Sequence, residues 1–361
     1  MKALISPSEY CSKEILKLEY QKIFNTIWNY VGTTDDFSHH NDFVATFIDE
    51  LPIVIQNVKG TIKAFKNVCS HRHSIIQTVS QGNRMLMCPY HGWAYNENGI
   101  PIGIPKKPLF KFSEEELECL KLKEYKVEIC GKLVFININN DSISLKDYLG
   151  KNVFSEVELL SNNFGELVDT NEMAIDANWK ILVENTLESY HVNLIHSNTF
   201  LKLGTSGMEF EFDGYHSTWN AGLKVSENEG NQEKVHRPYQ GRDYKINGYK
   251  HVLLFPNVLI STTYGISFNL SLITPINENS SKFRSFVFVT KLNRELEGKS
   301  AMEKIYSSAL VDFNRQVFVE DKVICEKVQI GVKQSHHGGE LSDEEERVCE
   351  FQKVYRKFMD K

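Results

Sequence analysis

The chain has 361 residues, enough for two domains, and its 41% hydrophobic and 24% charged residues are ordinary proportions for a folded protein. A formal charge of −6 argues against nucleic acid or a membrane surface as a partner. Apolar runs such as 132–138 and 252–255 are strand-length, far short of the ~20 residues that cross a bilayer.

Residues 1–10 lack a long apolar stretch, so no export signal is expected. The seven cysteines (Cys11, Cys69, Cys88, Cys119, Cys130, Cys325 and Cys349) are odd in number and widely scattered, unlike a disulfide framework. The expected compartment is the reducing cytoplasm, where thiolates are available to metals. Over 8–30, Leu16, Tyr20, Ile23 and Ile27 recur every three or four residues, with Phe24 and Trp28 widening the stripe, which predicts a helix. From about 42 to 139 short β-rich runs (43–48, 53–57, 62–68, 132–137) alternate with turns such as Lys59-Gly60 and Asn98-Gly99. The more polar stretch 140–157 marks a boundary. Beyond it the patterns predict a helix over 179–190, strands over 209–224 and 251–290, and a long helix at about 300–330. A last helix is announced by Ser342 and Glu345 as a capping box, followed by Val348, Phe351, Tyr355 and Phe358 as an apolar stripe. His39-His40 and His336-His337 read as polar loops, and Trp179 and Tyr190 as packing residues.

Cys69-Ser70-His71-Arg72 and Cys88-Pro89-Tyr90-His91-Gly92-Trp93 each offer one thiolate and one imidazole within three or four residues. In a Rieske [2Fe–2S] centre two Cys hold one iron and two His the other, so each loop would give one ligand to each iron. The same four donors can also make a tetrahedral zinc site. Zinc fingers, however, usually pair Cys with Cys and His with His, whereas the order here is Cys-His then Cys-His. His73 lies off the pattern and reads as a loop residue.

Further on, His191 and His196 are five residues apart, about 140° round a helix, so the helix carrying His191 must end or bend before His196 returns. Two His and one carboxylate on one face suit an O₂-binding iron(II). The third donor is sought in the run 317–329, where Phe313, Val317, Ile324 and Val328 define an apolar face. Glu320 and Asp321 each fall about 50° from its centre, on opposite sides, and the wheel does not choose between them. Glu188, three residues before His191, would share its helix face. Asn185 either lines the pocket or caps a turn.

The run 67–72 together with 88–93 resembles the Rieske signature of ring-hydroxylating and related oxygenases. The length of chain that follows is similar to an oxygenase alpha subunit rather than a stand-alone ferredoxin. Glu188 and the Glu-Asp-x₄-Glu-x₂-Gln pattern from Glu320 to Gln329 resemble the choline and carnitine monooxygenase group. The resemblance implies an α+β fold, with a small all-β Rieske domain and a catalytic domain of curved antiparallel sheet and helices (helix-grip type). The expected partition is 1–40 as an N-terminal helical segment packing on the catalytic domain, 41–145 as the Rieske domain and 146–361 as the catalytic domain. The resemblance also implies that Asp321 completes the iron site with His191 and His196. Glu188 would bridge to His91 of an adjacent subunit in a head-to-tail homotrimer.

The implied enzyme takes electrons from an NAD(P)H-dependent reductase, directly or through a ferredoxin, and uses O₂ to hydroxylate, dihydroxylate or demethylate a small organic substrate. A quaternary amine would sit against aromatic faces such as Tyr215, Trp219 and Tyr264. An aromatic carboxylate would instead require an inward Arg. Two rivals stand beside this reading: a Rieske electron-transfer protein without oxygenase activity, and a zinc-stapled binding protein.

Overall fold

The computed structural model describes residues 1–360 except 198, 204, 224–243, 247 and 291–300. The chain separates into two compact units, one of Glu19–Glu158 and one of Met1–Leu18 with Leu159–Lys361. These divisions fall at 18/19 and 158/159, where 40/41 and 145/146 were expected. At the first boundary the cause lies in strand pairing. Strand β1 (Asn29–Thr33) pairs with Leu133–Asn137, which ties residues 19–40 into the sheet unit.

The predicted helix over 8–30 is much shorter. Helix α1 spans Lys13–Glu19 and runs into a single π turn, Tyr20–Phe24. There the Asn29 amide donates to the carbonyls of Phe24 (2.8 Å) and Ile27 (3.1 Å), closing the helix end and turning the chain into β1. Ile23, Phe24, Ile27 and Trp28 are buried as the stripe demands, but only the first two lie in a helical turn.

The sheet unit continues with β2 (Asp42–Ile48), β3 (Leu51–Val58), β4 (Thr61–Lys66), β5 (Gln81–Asn83), β6 (Ala94–Tyr95), β7 (Pro101–Gly103), β8 (Glu124–Cys130) and β9 (Leu133–Asn137). Six of these join β1 in one seven-stranded antiparallel sheet, in the order β1-β9-β8-β4-β3-β2-β5, and β6 pairs with β7. The β3–β4 hairpin turns on Lys59 (φ 54°) and Gly60 (φ 88°). Two consecutive left-handed residues match the right-handed twist of the flanking strands. The core gathers Phe43, Phe65, Trp93 and Leu122 around Cys69 and Cys88.

The second unit is built on β10 (Phe164–Ile175), β11 (Thr205–Asp213), β12 (His216–Leu223), β13 (Tyr249–Leu254), β14 (Val258–Thr263), β15 (Ser267–Asn277) and β16 (Ser280–Thr290). They form a curled antiparallel sheet in the order β10-β16-β15-β14-β13-β12-β11. Its helices are α2 (Trp179–Thr186), α3 (Val192–Ile195), α4 (Ala301–Val332) and α5 (Glu346–Met359). At the start of α5 the Ser342 N–H donates to Glu345 (2.7 Å), and Val348, Phe351, Tyr355 and Phe358 are buried as the stripe predicted. No helix among the described residues is long and apolar enough to cross a membrane.

Candidate metal centres

The two Cys-His loops of the sheet unit are closed in the same way. His73 N–H donates to the Cys69 carbonyl (3.0 Å) and Cys69 N–H to the Ser74 carbonyl (2.8 Å). Gly92 N–H donates to the Cys88 carbonyl (3.0 Å) and Cys88 N–H to the Trp93 carbonyl (2.8 Å). The fourth residue after each Cys is left-handed, His73 at φ 60° and Gly92 at φ 73°. His73, off the ligand pattern, is thus the structural counterpart of Gly92.

This geometry places both thiols inside and both imidazoles outward. Cys69 and Cys88 are buried free thiols within hydrogen-bonding reach of each other. Burial pushes the Cys69 thiol up, while the Tyr95 hydroxyl, 3.1 Å from its sulfur, works the other way. The His71 and His91 rings lie 4.6 Å apart, His71 stacked on Trp93 at 4.8 Å. His71 Nδ1 is buried with no hydrogen-bond partner among the described residues, which is costly unless something else receives its lone pair. Paired buried thiols, paired imidazoles and an orphaned ring nitrogen fit a two-iron cluster with one Cys pair and one His pair.

In the second unit the predicted helix over 179–190 stops at Thr186, and α3 begins only at Val192. Glu188 and His191 therefore meet across a turn, not along one helix face. The His191 backbone N–H donates to Glu188 Oε2 (3.2 Å), and its ring Nδ1 contacts Glu188 Oε1. Tyr190, on the same turn, is 65% exposed rather than packed, whereas Trp179 is fully buried against Phe351 and Tyr355.

Helix α4 presents a face rotated from the expected one. Val317, Phe318, Cys325 and Gln329 are buried and Val328 is exposed, which sets Asp321 near the middle of the inward face. Asp321 Oδ1 lies 3.1 Å from His196 Nε2 and 3.7 Å from His191 Nε2. Donor atoms of His191, His196 and Asp321 all lie within 4.8 Å of one another. Two donors each about 2.1 Å from one ion at right angles sit about 3 Å apart, so the three residues can hold one ion on one face.

Sequence reasoning missed the role of Glu320. Its Oε2 accepts from His196 Nδ1 (2.7 Å) and from the Thr199 hydroxyl (2.8 Å), while Oε1 accepts from the Gln316 amide (3.0 Å). Because carboxylates only accept, Glu320 and Glu188 take up the Nδ1–H of His196 and His191 and leave both Nε2 atoms on the side where Asp321 stands. Burial disfavours a charged His196, yet its bonds to Asp321 and Glu320 hold its pKa above the usual value. Asn185 donates to Asp321 Oδ1 (2.7 Å), which assigns it to the pocket rather than to a cap.

The three donors open onto a cavity of about 130 Å³. Of the three aromatics considered for a substrate cage, only Trp219 lines it. Tyr215 packs on Phe358, and Tyr264 sits at a turn with φ 54°. His40 Nδ1 accepts from the Lys59 N–H (3.0 Å), and His39, His336 and His337 are exposed, consistent with polar loops.

A sheet domain bearing paired Cys-His loops, joined to a curled sheet with two His and an Asp at a cavity, is the layout of a Rieske non-haem iron oxygenase. The chain belongs to the ring-hydroxylating alpha subunit family: its catalytic domain matches residues 164–361, and a Rieske [2Fe-2S] domain matches 27–124. The enzyme is accordingly an oxidoreductase whose cofactors are a Rieske cluster and a mononuclear iron. The catalytic-domain match favours the oxygenase over the electron-transfer alternative.

Among relatives, the 2-aminobenzenesulfonate 2,3-dioxygenase alpha subunit of Alcaligenes sp is 28% identical over 281 residues, covering 74% of this chain and 70% of that protein. The chloroplastic choline monooxygenase of Atriplex hortensis is 26% identical over 339 residues, covering 92% and 72%. The solved structure of the quaternary ammonium Rieske monooxygenase CntA with L-carnitine shares the fold, with TM-score 0.80 at 18% identity over 99% of this chain and 95% of that one.

Proposed function

We propose that Cys69, His71, Cys88 and His91 hold the cluster and that His191, His196 and Asp321 hold the iron. The observation that carries this is the convergence of the last three donors at the cavity, each imidazole backed by its own carboxylate. When bound, the cluster supplies one-electron transfer and the iron supplies O₂ activation. Glu188 and Glu320 keep the imidazole lone pairs aimed at the ion, Asn185 fixes Asp321, and the apolar cavity wall seats the substrate and excludes water.

In balance, O₂, two electrons and two protons turn a C–H bond into an alcohol plus water, or a C=C bond into a cis-diol. The electrons come from NAD(P)H through a separate reductase, directly or by way of a ferredoxin. Relatives named for aromatic and for quaternary-amine substrates support a small organic molecule of one of these classes. Glu188 is the residue we assign to the bridge, receiving the free ring N–H of His91 from the adjacent subunit in a homotrimer. Seven cysteines with no disulfide among them fit a reducing compartment, and we place the enzyme in the cytoplasm.

Metal analysis with absorption and EPR spectra tests the reading. The expected result is a Rieske spectrum plus one further iron per chain, with reductant-dependent O₂ uptake. Zinc at the Cys/His loops, or no third iron, overturns it, and a monomer in solution overturns the bridge.

A further inference from the structure

Along β15 the residues Asn269, Ser271 and Ile273 alternate with Leu270 and Leu272, and the first three all line the cavity. Ser285 on β16 stands directly opposite Ser271 and shares its face. Asparagine is depleted in strands, so Asn269 in the middle of this one calls for partners. It has three. Its Oδ1 accepts from Ser271 Oγ (3.0 Å) and Ser285 Oγ (3.1 Å), and its Nδ2 donates to Asn314 Oδ1 on α4 (3.2 Å). Asn314 Nδ2 in turn donates to the Leu310 carbonyl, one turn back on the same helix (2.8 Å).

That last bond orients both amides. A backbone carbonyl only accepts, so Asn314 must give Leu310 its nitrogen and Asn269 its oxygen. Asn269 must then turn its own nitrogen to Asn314 and its oxygen to the two hydroxyls. These bonds use both lone pairs of Asn269 Oδ1. They use only one N–H of each amide and one lone pair of Asn314 Oδ1. Ser285 is wholly buried, but both asparagines are only partly buried and line the cavity. The unused donors and acceptor thus belong to oriented side chains at the cavity surface.

Their place relative to the metal donors follows from the helix. Asn314 precedes Asp321 by seven residues, about 10 Å along the axis and within about 20° of the same face. Val317, between them, is buried and also lines the cavity, so α4 runs along it from the amides to the metal donors. Among the described residues no Lys or Arg lines the cavity. Its two carboxylates, Glu188 and Asp321, are engaged at the metal-site histidines. A charged group at the amide end would find no counter-ion there, and a charge taken out of water needs one. Amide dipoles answer an uncharged polar group.

We propose that Asn269 and Asn314 are specificity-determining residues that receive an uncharged hydrogen-bonding group, a hydroxyl or a carboxamide, at the end of the substrate away from Asp321. Ser271 and Ser285 hold the Asn269 oxygen and so keep its nitrogen at the cavity. The proposal rests on the oxygenase reading of the cavity and narrows its substrate class. Anchoring one end also selects which carbon is presented to the metal donors.

Equilibrium binding to the holoenzyme, measured by calorimetry without reductant, keeps turnover out of the test. The probes are benzamide and benzyl alcohol as uncharged polar ligands, benzoate as the anion, benzyltrimethylammonium as the cation and ethylbenzene as the apolar control. Benzamide or benzyl alcohol is expected to bind more tightly than either charged probe. Asn314→Leu should weaken that ligand about three- to tenfold, the loss of one neutral hydrogen bond, and leave ethylbenzene unchanged or tighter. Asn269→Leu should act in the same direction. It also strands two serine hydroxyls, so Asn314→Leu, at a partly exposed position, carries the test if Asn269→Leu fails to fold. A merely structural role would weaken polar and apolar ligands alike.

A charged probe that binds as tightly as both uncharged polar ones, or equal losses for polar and apolar ligands in Asn314→Leu, overturns the subsite. So does failure of both polar probes to bind. The expected binding pattern without reductant-dependent O₂ uptake would instead sink the oxygenase reading and leave the subsite standing.

Discussion

Glu320 and Asp321, adjacent in sequence, hold opposite nitrogens of one imidazole: His196 Nδ1 lies 2.7 Å from Glu320 and its Nε2 3.1 Å from Asp321. Consecutive residues on a helix diverge by about 100°, so two side chains can straddle a ring that enters between them. The two acids therefore divide the work, one at the ion side and one behind the ligand, and their removal should have unequal effects.

Asp321→Ala is expected to abolish binding of the mononuclear iron while leaving the Rieske absorption unchanged. Iron counted per chain, beside the visible spectrum, checks this; retention of the third iron would show that another residue is the ligand.

Glu320→Ala should weaken iron affinity by about 10–100-fold without removing the site, because His196 would keep its lone pair but lose the carboxylate that aims it. Competition against a chelator measures the shift, and Glu320→Gln, which can still accept from Nδ1–H, should recover part of it. An effect equal to that of Asp321→Ala would contradict this division of roles.

The two Cys-His loops make a paired prediction. At His73 a left-handed conformation costs a side-chain-bearing residue about 1–2 kcal/mol, and Gly92 avoids that cost in the equivalent position. His73→Gly should leave the cluster in place or make it more resistant to heating, and Gly92→Val should make it labile. The decay of the visible spectrum with temperature reports both.

Glu184 gives a pH signature. It accepts from the Tyr10 hydroxyl (2.8 Å) and the Gln352 amide (2.9 Å). Burial raises its pKa to about 7, against the pull of those two bonds and of Lys180. In the unfolded chain the carboxyl titrates near ~4.3, so between these values the folded state holds the extra proton. Its contribution to stability is complete below the lower value and is lost as pH rises through about 7. Glu184→Gln should flatten that fall, so the variant gains on the parent between about pH 5 and pH 8. Melting temperatures that stay parallel across this window would refute it.

Much of the site could be read from the sequence because ligand chemistry is local. Cys69 with His71, and Cys88 with His91, fall within single loops whose spacing is itself the signal. The His191–His196 interval likewise forced a break in the helix, and the break is present. What stayed hidden depends on tertiary packing. The break falls at Thr186 because Leu187 is wholly buried and caps the helix, and no periodicity announces that. The α4 face was misjudged because Ile324 and Val328 were counted as core while Cys325 and Gln329 are the buried ones. Gln329 is drawn inward by the Asn178 N–H (2.7 Å), a bond across 151 residues. Arg347 lies just ahead of a stripe that shows only apolar members, so nothing in the pattern announces its burial against Ser217 and His251.

Residues 1–18 and 159–361 form one unit, with Ala3 N–H donating to the Gly339 carbonyl (2.9 Å) and Leu4 N–H to Gln352 (2.6 Å). Along the chain the Rieske unit thus lies between two parts of the catalytic one, and this sets an order in time during synthesis. Once about 160 residues have left the ribosome, the whole Rieske unit is available to fold, since domains emerging first fold first. The catalytic unit must wait, because its opening segment has no partner until the last helix is made. A nascent chain therefore carries Cys69, His71, Cys88 and His91 well before it carries Asp321, so the proposed cluster site can mature while the proposed iron site is still incomplete.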